Sequence, residues 1–523
     1  MKGVLTMSNN IDVTNKPKGV ILTILIHKTH VVLRTDSYYV TTILDIVCEK
    51  LTIYKYIWNP RTKRNIREKD KGYFALNREL GEYRFPITIF KDILLTLGSN
   101  GLKRDHIEIK YIEPAEGTHV DFKWNDEFVP RDYQMEYINI LLNEDMPIML
   151  VDLATGKGKS LILMKYLHTI KKRTAILVLP KYIDKWIEDV KKYSDLTDDD
   201  FYVVQGGTSL ERLCAIPTNE ITYKYIIFSM TTITNYITDY ENDELTLDVP
   251  SPQNLMEKLG ISVLANDESH QHFHALFKTI LYFNVERVVG MTATLVSNRN
   301  EVNRIYNTLF PAKARISNLV KHEPYVNVEA VQYELNTWRK VRYQTVQGYS
   351  HVTYEDYIMS HNLFLNSYLE LIEEFFKKRY INNRTPGDRC LIYCSTIRMC
   401  TIVANYLKER YKDLSIGTYV ESDSYESIMS NDVSVSTLGS ASTGLDIKNL
   451  TTVINTISVT SMQSNLQSLG RLRKIEGKEL WYVYLYCKNI PKQIKMHKDR
   501  KVAIEKTVKS YIYTTYYKTL KVR

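Results

Sequence analysis

Two things are scarce in this 523-residue sequence: cysteine and unbroken apolar runs. Six cysteines do not make a disulfide framework in a chain of this length. No run approaches the ~20 apolar residues that a membrane-spanning helix needs. The first residues, MKGVLTMSNNIDVTNK, lack an apolar stretch of signal-peptide length. Neither a low-complexity tract nor a short repeat is evident. These absences lead to the expectation of a soluble, intracellular protein that stays in the compartment where it is made.

What is present is ordinary in bulk. Hydrophobic residues make up 44% and charged residues 25%, as in a soluble globular protein. The length suits roughly three domains of about 150 residues. The net charge of +9 is a modest basic excess, which nucleic acid as a partner explains as well as simple solubility does. Tyrosine is abundant, with 39 copies. Some of these rings can stack on bases, but most are expected in the core or on the surface, because an AT-rich genome, such as a viral one, raises Tyr, Ile, Asn and Lys together.

The first ~125 residues read as a separate unit. GVILTILIH (19–27) and HVVLRT (30–35) alternate like paired strands, and TTILDIVCEKL has helical spacing. The stretch YIWNPRTKRNIREKDKGYF is basic and flanked by aromatics. Its Arg61, Lys63, Arg64, Arg67, Lys69 and Lys71 suit either a hairpin gripping phosphates or a solvated loop. After a break near 113–119 the pattern becomes strand then helix, repeated: MPIMLVDLA, SLILMKYLHTI, TAILVLP, KYIDKWIEDVKKY, KYIIFSM, ISVLAND and RVVGMTAT. That order argues for a parallel sheet with crossover helices. A second such series begins near Val326 and includes RCLIYCS, VSVSTLGSA, TTVINTIS and LWYVYLY. The last ~30 residues, rich in Lys and Tyr, are expected to be helical.

Two stretches carry chemistry. LATGKGKS (153–160) lies between an apolar run and a helical one. A glycine-rich turn there points backbone N–H groups at one spot, and the helix N-terminus adds partial positive charge. Gly156 and Gly158 let the backbone approach a phosphate; Lys159 would reach the β- and γ-phosphates, and the Ser160 hydroxyl would bind Mg²⁺. Further on, VLANDESH (263–270) sets Asp267 and Glu268 at the end of an apolar run. Buried acids are costly without a cation. Asp267 can hold the Mg²⁺ carried by a nucleotide, and Glu268 can deprotonate the attacking water.

With these motifs in order, the sequence resembles the superfamily 2 helicases and translocases of the DExH type over residues 128–490. FVPRDYQ (128–134) looks like the element before the phosphate loop, where the resemblance places Arg131 and Gln134 at the adenine. LATGKGKS is motif I, with Thr155 among its nucleotide-binding residues. LPKYIDKW (179–186) resembles motif Ia, DESH (267–270) motif II and GMTAT (290–294) motif III. LIYCST (391–396) resembles motif IV, STLGSASTGLDI (436–447) motif V and QSLGRLRK (467–474) motif VI.

The resemblance implies roles. Thr292 and Thr294 would link nucleotide state to domain movement, and His270 would bond across the domain interface. Lys181, Ser395, Thr396 and Thr437 sit where the family grips a nucleic-acid backbone. Gly444 and Asp446 of motif V would face the nucleotide cleft. Gln467, Gly470 and Arg471 match motif VI, with Arg471 as the arginine finger. The family's pattern is not followed everywhere. Leu153 stands where a small residue is expected, Ser269 where Ala or Cys is usual, and Lys474 where a second arginine is expected, with Arg473 one position earlier. Lysine has no planar two-pronged donor, so Arg473 and Lys474 rank below Arg471.

Two other clusters invite a metal reading. Cys390, Cys394 and Cys400 lack a second ligand pair, and HQHFH (270–274) follows motif II directly, so zinc is not expected at either.

The fold class expected is α/β: two tandem RecA-like parallel-sheet motor domains behind a small α+β domain. The divisions are 1–125, accessory and DNA-binding; 126–320, the ATP-binding motor domain; 321–490, the second motor domain; and 491–523, a basic helical tail. The arrangement resembles the phage recombination and repair helicases of the UvsW type. That resemblance implies an ATP- and Mg²⁺-dependent enzyme acting on forks, junctions and R-loops, alongside recombination or replication proteins. The alternative is an RNA-directed or transcript-release ATPase of the same superfamily, or a motor subunit serving a nuclease. No PD…ExK pair is present for a nuclease of its own.

Overall fold

The apolar runs of both series become strands buried on two faces, which is why they read as near-continuous rather than alternating. The computed structural model describes residues 19–523 apart from positions 60, 63, 144, 155, 294, 296, 298, 318, 320–323, 347, 421, 422, 424, 442–446, 460 and 523. The first series forms a seven-stranded sheet. Its order is Phe201–Val204, Tyr225–Ser229, Thr174–Val178, Val263–Asn266, Arg287–Thr292, Ile148–Asp152 and Arg315–Ile316. Every pairing is parallel.

The second series forms another seven-stranded sheet, also parallel throughout. Its order is Ile416–Tyr419, Val433–Thr437, Arg389–Cys394, Leu450–Asn455, Leu480–Cys487, Val326–Leu335 and Ser510–Leu520. The last strand corrects an expectation. Residues 491–523 are helical only through Pro491–Ile504; Ser510–Leu520 then pairs with Val326–Leu335 as the sheet's edge. Its run SYIYTTYYKTL is rich in Tyr and β-branched Thr, which suit a pleated, half-buried surface.

The N-terminal residues build a five-stranded sheet in the order Ala75–Asn77, Glu82–Pro86, His30–Arg34, Leu22–Ile26 and Ile107–Tyr111. The expected pair, Leu22–Ile26 and His30–Arg34, is antiparallel. The helix Tyr38–Lys50 covers the expected helical stretch. The chain divides into two compact units. One runs through Asp152 and takes in Ser160–Leu295 and Glu301–Ser317; the other holds Leu153–Lys159, Val296–Asn300 and Asn318–Arg523.

The N-terminal sheet therefore does not stand apart, as the sequence suggested. It shares one apolar core with the first parallel sheet, including Val31, Tyr83, Phe85, Phe277 and Leu281. Five short strands have a face to cover, and the helix Phe273–Tyr282 covers it. The Tyr73 ring meets Phe277 edge-on at 5.2 Å. His27 Nδ1 lies 3.0 Å from Asn284 Oδ1, and Arg84 Nη1 donates to the Leu281 carbonyl at 3.3 Å. His274, read in the sequence as part of a ligand-like cluster, instead bonds the Gly72 carbonyl through Nε2 at 2.9 Å. Burial holds its imidazole below the usual range, and so neutral.

Candidate functional site

All strands of the first sheet run the same way, so their C-terminal ends share one edge. In open α/β sheets this edge is where ligands bind. The strand Ile148–Asp152 ends there, and the helix Lys159–Ile170 begins seven positions later. Between them Gly156 and Gly158 have φ of 78° and 82°. Only glycine takes that left-handed backbone without cost, and it lets successive N–H groups turn toward one point. Lys159 folds back over the loop, with Nζ donating to the Leu153 carbonyl at 3.3 Å. Leu153 itself is buried. Ser160 sits in the helix's first turn. Thr155 lies outside the described residues.

The strand Val263–Asn266 delivers Asp267 and Glu268 to the same edge. Arg287–Thr292 lies between it and the strand feeding the glycine loop. Two strand spacings separate their axes, about 10 Å. The Asp267 N–H donates to the Leu177 carbonyl at 3.3 Å, continuing the ladder one residue past the strand. Glu268 takes φ of 51°, a left-handed conformation unusual for a side-chain-bearing residue. Its N–H bonds Asp267 Oδ1 at 2.9 Å. Its Oε2 is buried without a hydrogen bond and lies 3.3 Å from His270 Nδ1.

The same His270 Nδ1 is 2.8 Å from Thr292 Oγ1. A single imidazole therefore joins the acid pair to the end of the neighbouring strand. Both partners of this bond belong to the first sheet and its helices. Ser269, the unusual residue of DESH, is fully buried, and its hydroxyl donates to the Asn266 carbonyl at 3.3 Å. It packs so tightly on Gly290 that a Cβ there would come within 2.7 Å of Ser269 Oγ. Thr294 lies outside the described residues. Asp189, which sequence reasoning passed over, faces Asp267 electrostatically. Burial pushes its carboxyl up, Lys185 and Lys192 pull it down, and the Asp267 charge pushes it up again.

Ahead of the loop, the buried side chain of Gln134 accepts from the Arg131 N–H at 2.9 Å and so fixes the start of the helix Asp132–Asn143, while Arg131 itself is exposed. Lys181 is exposed, its ammonium 4.9 Å from the centre of the Tyr182 ring.

In the second unit, Gln467 lies partly exposed on the helix Met462–Leu469, and Gly470 ends that helix. Arg471 follows and is buried at 7% exposure; its guanidinium hydrogen-bonds the hydroxyl of Tyr393 on the strand Arg389–Cys394. Arg473 is different. A Cβ placed on Gly156, which belongs to the same compact unit, would come within 3.2 Å of Arg473 Nη1. The three atoms nearest that position all belong to the Arg473 guanidinium and its stem. Lys474 is exposed. Thr437 Oγ1 is 2.9 Å from Ser440 Oγ. Gly444 and Asp446 lie outside the described residues.

Ser395 and Thr396, expected to grip a backbone, already have an anion. The fully buried Glu355 accepts from Ser395 N at 2.6 Å, Thr396 N at 2.8 Å and Thr396 Oγ1 at 2.9 Å. It thereby satisfies N–H groups at the start of the helix Ile397–Arg410. No local pattern announces this partner, because it lies 40 residues earlier. Burial raises its carboxyl from 4.5 to about 7, although the three donors favour the anion. A raised carboxyl binds its proton more tightly in the folded chain than in the unfolded one. Its contribution to stability is complete below about 4.5 and is lost as pH rises toward 7. Thermal unfolding midpoints should therefore show a downward slope across that window that is absent in Glu355→Gln; identical slopes in the two proteins would contradict the assignment.

Residues 127–297 match the family model "Type III restriction enzyme, res subunit". No curated protein sequence matches the chain. Among solved structures, the chain is similar to T4 UvsW, at 13% identity and TM-score 0.34 over 96% of this chain and 100% of that one. It is also similar to Saccharomyces cerevisiae Dbp5 bound to RNA and ADP BeF3, at 12% identity and TM-score 0.47 over 74% and 90%.

Proposed function

We propose that the chain is a superfamily 2 helicase, an ATP-dependent nucleic-acid enzyme, a reading supported by the family match over residues 127–297, that its substrate is branched DNA and that its work is to unwind and remodel forks and junctions. The observation that carries this reading is the N-terminal sheet. It shares a core with the first motor sheet and carries a two-stranded basic ribbon, Thr52–Asn59 and Arg64–Gly72. A phosphate-binding element fixed to a motor gives the motor a second hold on nucleic acid, which is what a junction substrate offers and a lone strand does not. Such a hold should be salt-sensitive and weakly sequence-specific.

The donor set at the sheet edge fits Mg²⁺ and a triphosphate. Magnesium takes hard oxygen ligands; Ser160 and Asp267 would supply them. Bound ATP·Mg²⁺ supplies the reacting phosphoryl group and part of the charge neutralisation. The N–H groups around Gly156 and Gly158 would cradle its phosphates, with Lys159 turning from the Leu153 carbonyl to meet them. Glu268 Oε2 would accept a proton from the attacking water, and His270 would hold that carboxylate against the Thr292 strand. Arg131 and Gln134 would contact the base. Arg471, Arg473 and Gln467 would stabilise charge on the transferring group, and Gly444 and Asp446 of motif V would join them.

A panel of nucleic acids decides the substrate. ATP turnover should be stimulated most by forks and four-way junctions, less by single-stranded DNA and least by RNA. Stimulation by RNA above any DNA would replace this reading with a transcript-directed one.

A further inference from the structure

Among the described residues, the ribbon Thr52–Asn59 and Arg64–Gly72 pairs with no other strand. A lone two-stranded ribbon is marginal in water, so its base is tied down. Thr52 Oγ1 donates to the Cys48 carbonyl at 2.8 Å, and the Gly72 carbonyl meets His274. Beyond that base both faces are exposed. The register sorts its side chains. Directly opposite residues share a face, and the opposed pairs are Tyr54 with Lys69, Tyr56 with Arg67, and Trp58 with Asn65. The other face carries Lys55 with Glu68 and Ile57 with Ile66. One face is therefore a row of three aromatic rings, flanked across the ladder by two cations.

The inner ring is already used. The Arg67 guanidinium lies 3.6 Å from the centre of the Tyr54 ring and pairs with Glu49 at 3.0 Å. The outer two are open: Tyr56 is 69% and Trp58 56% exposed. Two large aromatics left in water beside cations on one face form a surface complementary to a polyanion that carries flat rings.

Spacing selects among nucleic acids. Residues two apart on a strand are about 6.6 Å apart, roughly twice the ~3.4 Å between stacked bases along one strand of a duplex. Successive bases reach successive rings only from an unstacked strand. Resting on the motor reading above, we infer that this ribbon face is a stacking platform for unpaired bases. Bases lie on Tyr56 and Trp58, and the backbone runs past Arg67 and Lys69. It holds a displaced or unwound single strand rather than the intact duplex.

The test uses the full chain and a labelled oligothymidylate, with binding followed by anisotropy over a range of salt. Stacking and phosphate contacts leave different signatures. Tyr56→Ala with Trp58→Ala should weaken binding at least about tenfold with the salt slope unchanged. Tyr56→Phe with Trp58→Phe should keep the affinity, which guards against a ribbon that has simply lost order. Arg67→Gln with Lys69→Gln should reduce the slope of log affinity against log salt by about 1.4. Tryptophan fluorescence should be quenched by the strand in the wild-type chain and not in Trp58→Phe.

Unchanged affinity in the alanine pair overturns the platform, as does an alanine pair that alters only the oligomeric state, which would make this face a contact between copies. A chain whose ATP turnover responds to nucleic acid but ignores Tyr56 and Trp58 overturns the platform alone. A chain that binds no strand and whose turnover ignores every nucleic acid overturns the motor reading with it.

Discussion

Glu268→Gln should reduce steady-state ATP turnover by at least about a thousandfold while leaving ATP binding intact. The substitution keeps the volume and planar shape of the head group, with one oxygen replaced by nitrogen, so the left-handed backbone at 268 and the packing around it persist. What it removes is the basicity of Oε2, the buried oxygen that takes no hydrogen bond among the described residues and lies 3.3 Å from His270 Nδ1. A positioned base contributes typically 10²–10⁴ in rate, and a thousandfold loss lies within that range. Lys159→Ala is the contrasting change. If its cation reaches phosphates as proposed, the change should weaken binding and turnover together. Glu268→Gln that hydrolyses ATP at the wild-type rate would remove the water-activating role from this residue.

The second large effect separates two neighbouring arginines. Arg473→Ala should lower kcat by about 10³ or more, the range found where an arginine stabilises a transferring phosphoryl group, with little change in the unfolding midpoint. The guanidinium beside Gly156 is only partly buried, so truncating it leaves no cavity. Arg471→Ala should lower stability as well as turnover. Arg471 is buried, and its loss strands the Tyr393 hydroxyl in the core formed with Leu391, Leu469 and Tyr482. An unpaired buried polar group costs about 1–3 kcal/mol. Calorimetry together with single-turnover hydrolysis distinguishes the two. If Arg471→Ala keeps its unfolding midpoint and Arg473→Ala keeps its kcat, motif register rather than the observed placement names the finger.

Much of this was legible in sequence because the two seven-stranded sheets are parallel. Strands such as Ile148–Asp152 and Leu450–Asn455, buried on both faces, stand out as short apolar runs between helical stretches. The glycine loop and the acid pair were legible because their chemistry is local: each fits within eight residues. Three features escaped for one shared reason, that their partners are distant in the chain. Glu355 meets Ser395 and Thr396 across 40 residues, Asp189 feels the charge of Asp267, and Arg471 meets Tyr393. The strand Ser510–Leu520 escaped for another. At the edge of its sheet only Tyr516 and Leu520 are buried, so the period-2 signal is faint and the lysines read as a helical tail. The N-terminal sheet was read correctly in its strands but not in its independence. Nothing in Tyr73, Tyr83 or Phe85 says that the helix after DESH will cover them.

The central proposal is that Asp267 and Glu268 serve one bound magnesium nucleotide. Calorimetric titration of ATP into the Glu268→Gln chain, with and without Mg²⁺, tests it most directly, because this chain should hold its ligand without consuming it. One equivalent bound per chain, tightened by Mg²⁺ and insensitive to Mg²⁺ once Asp267→Asn is added, is the predicted result. No saturable binding, or a Mg²⁺ dependence that Asp267→Asn leaves unchanged, would contradict it.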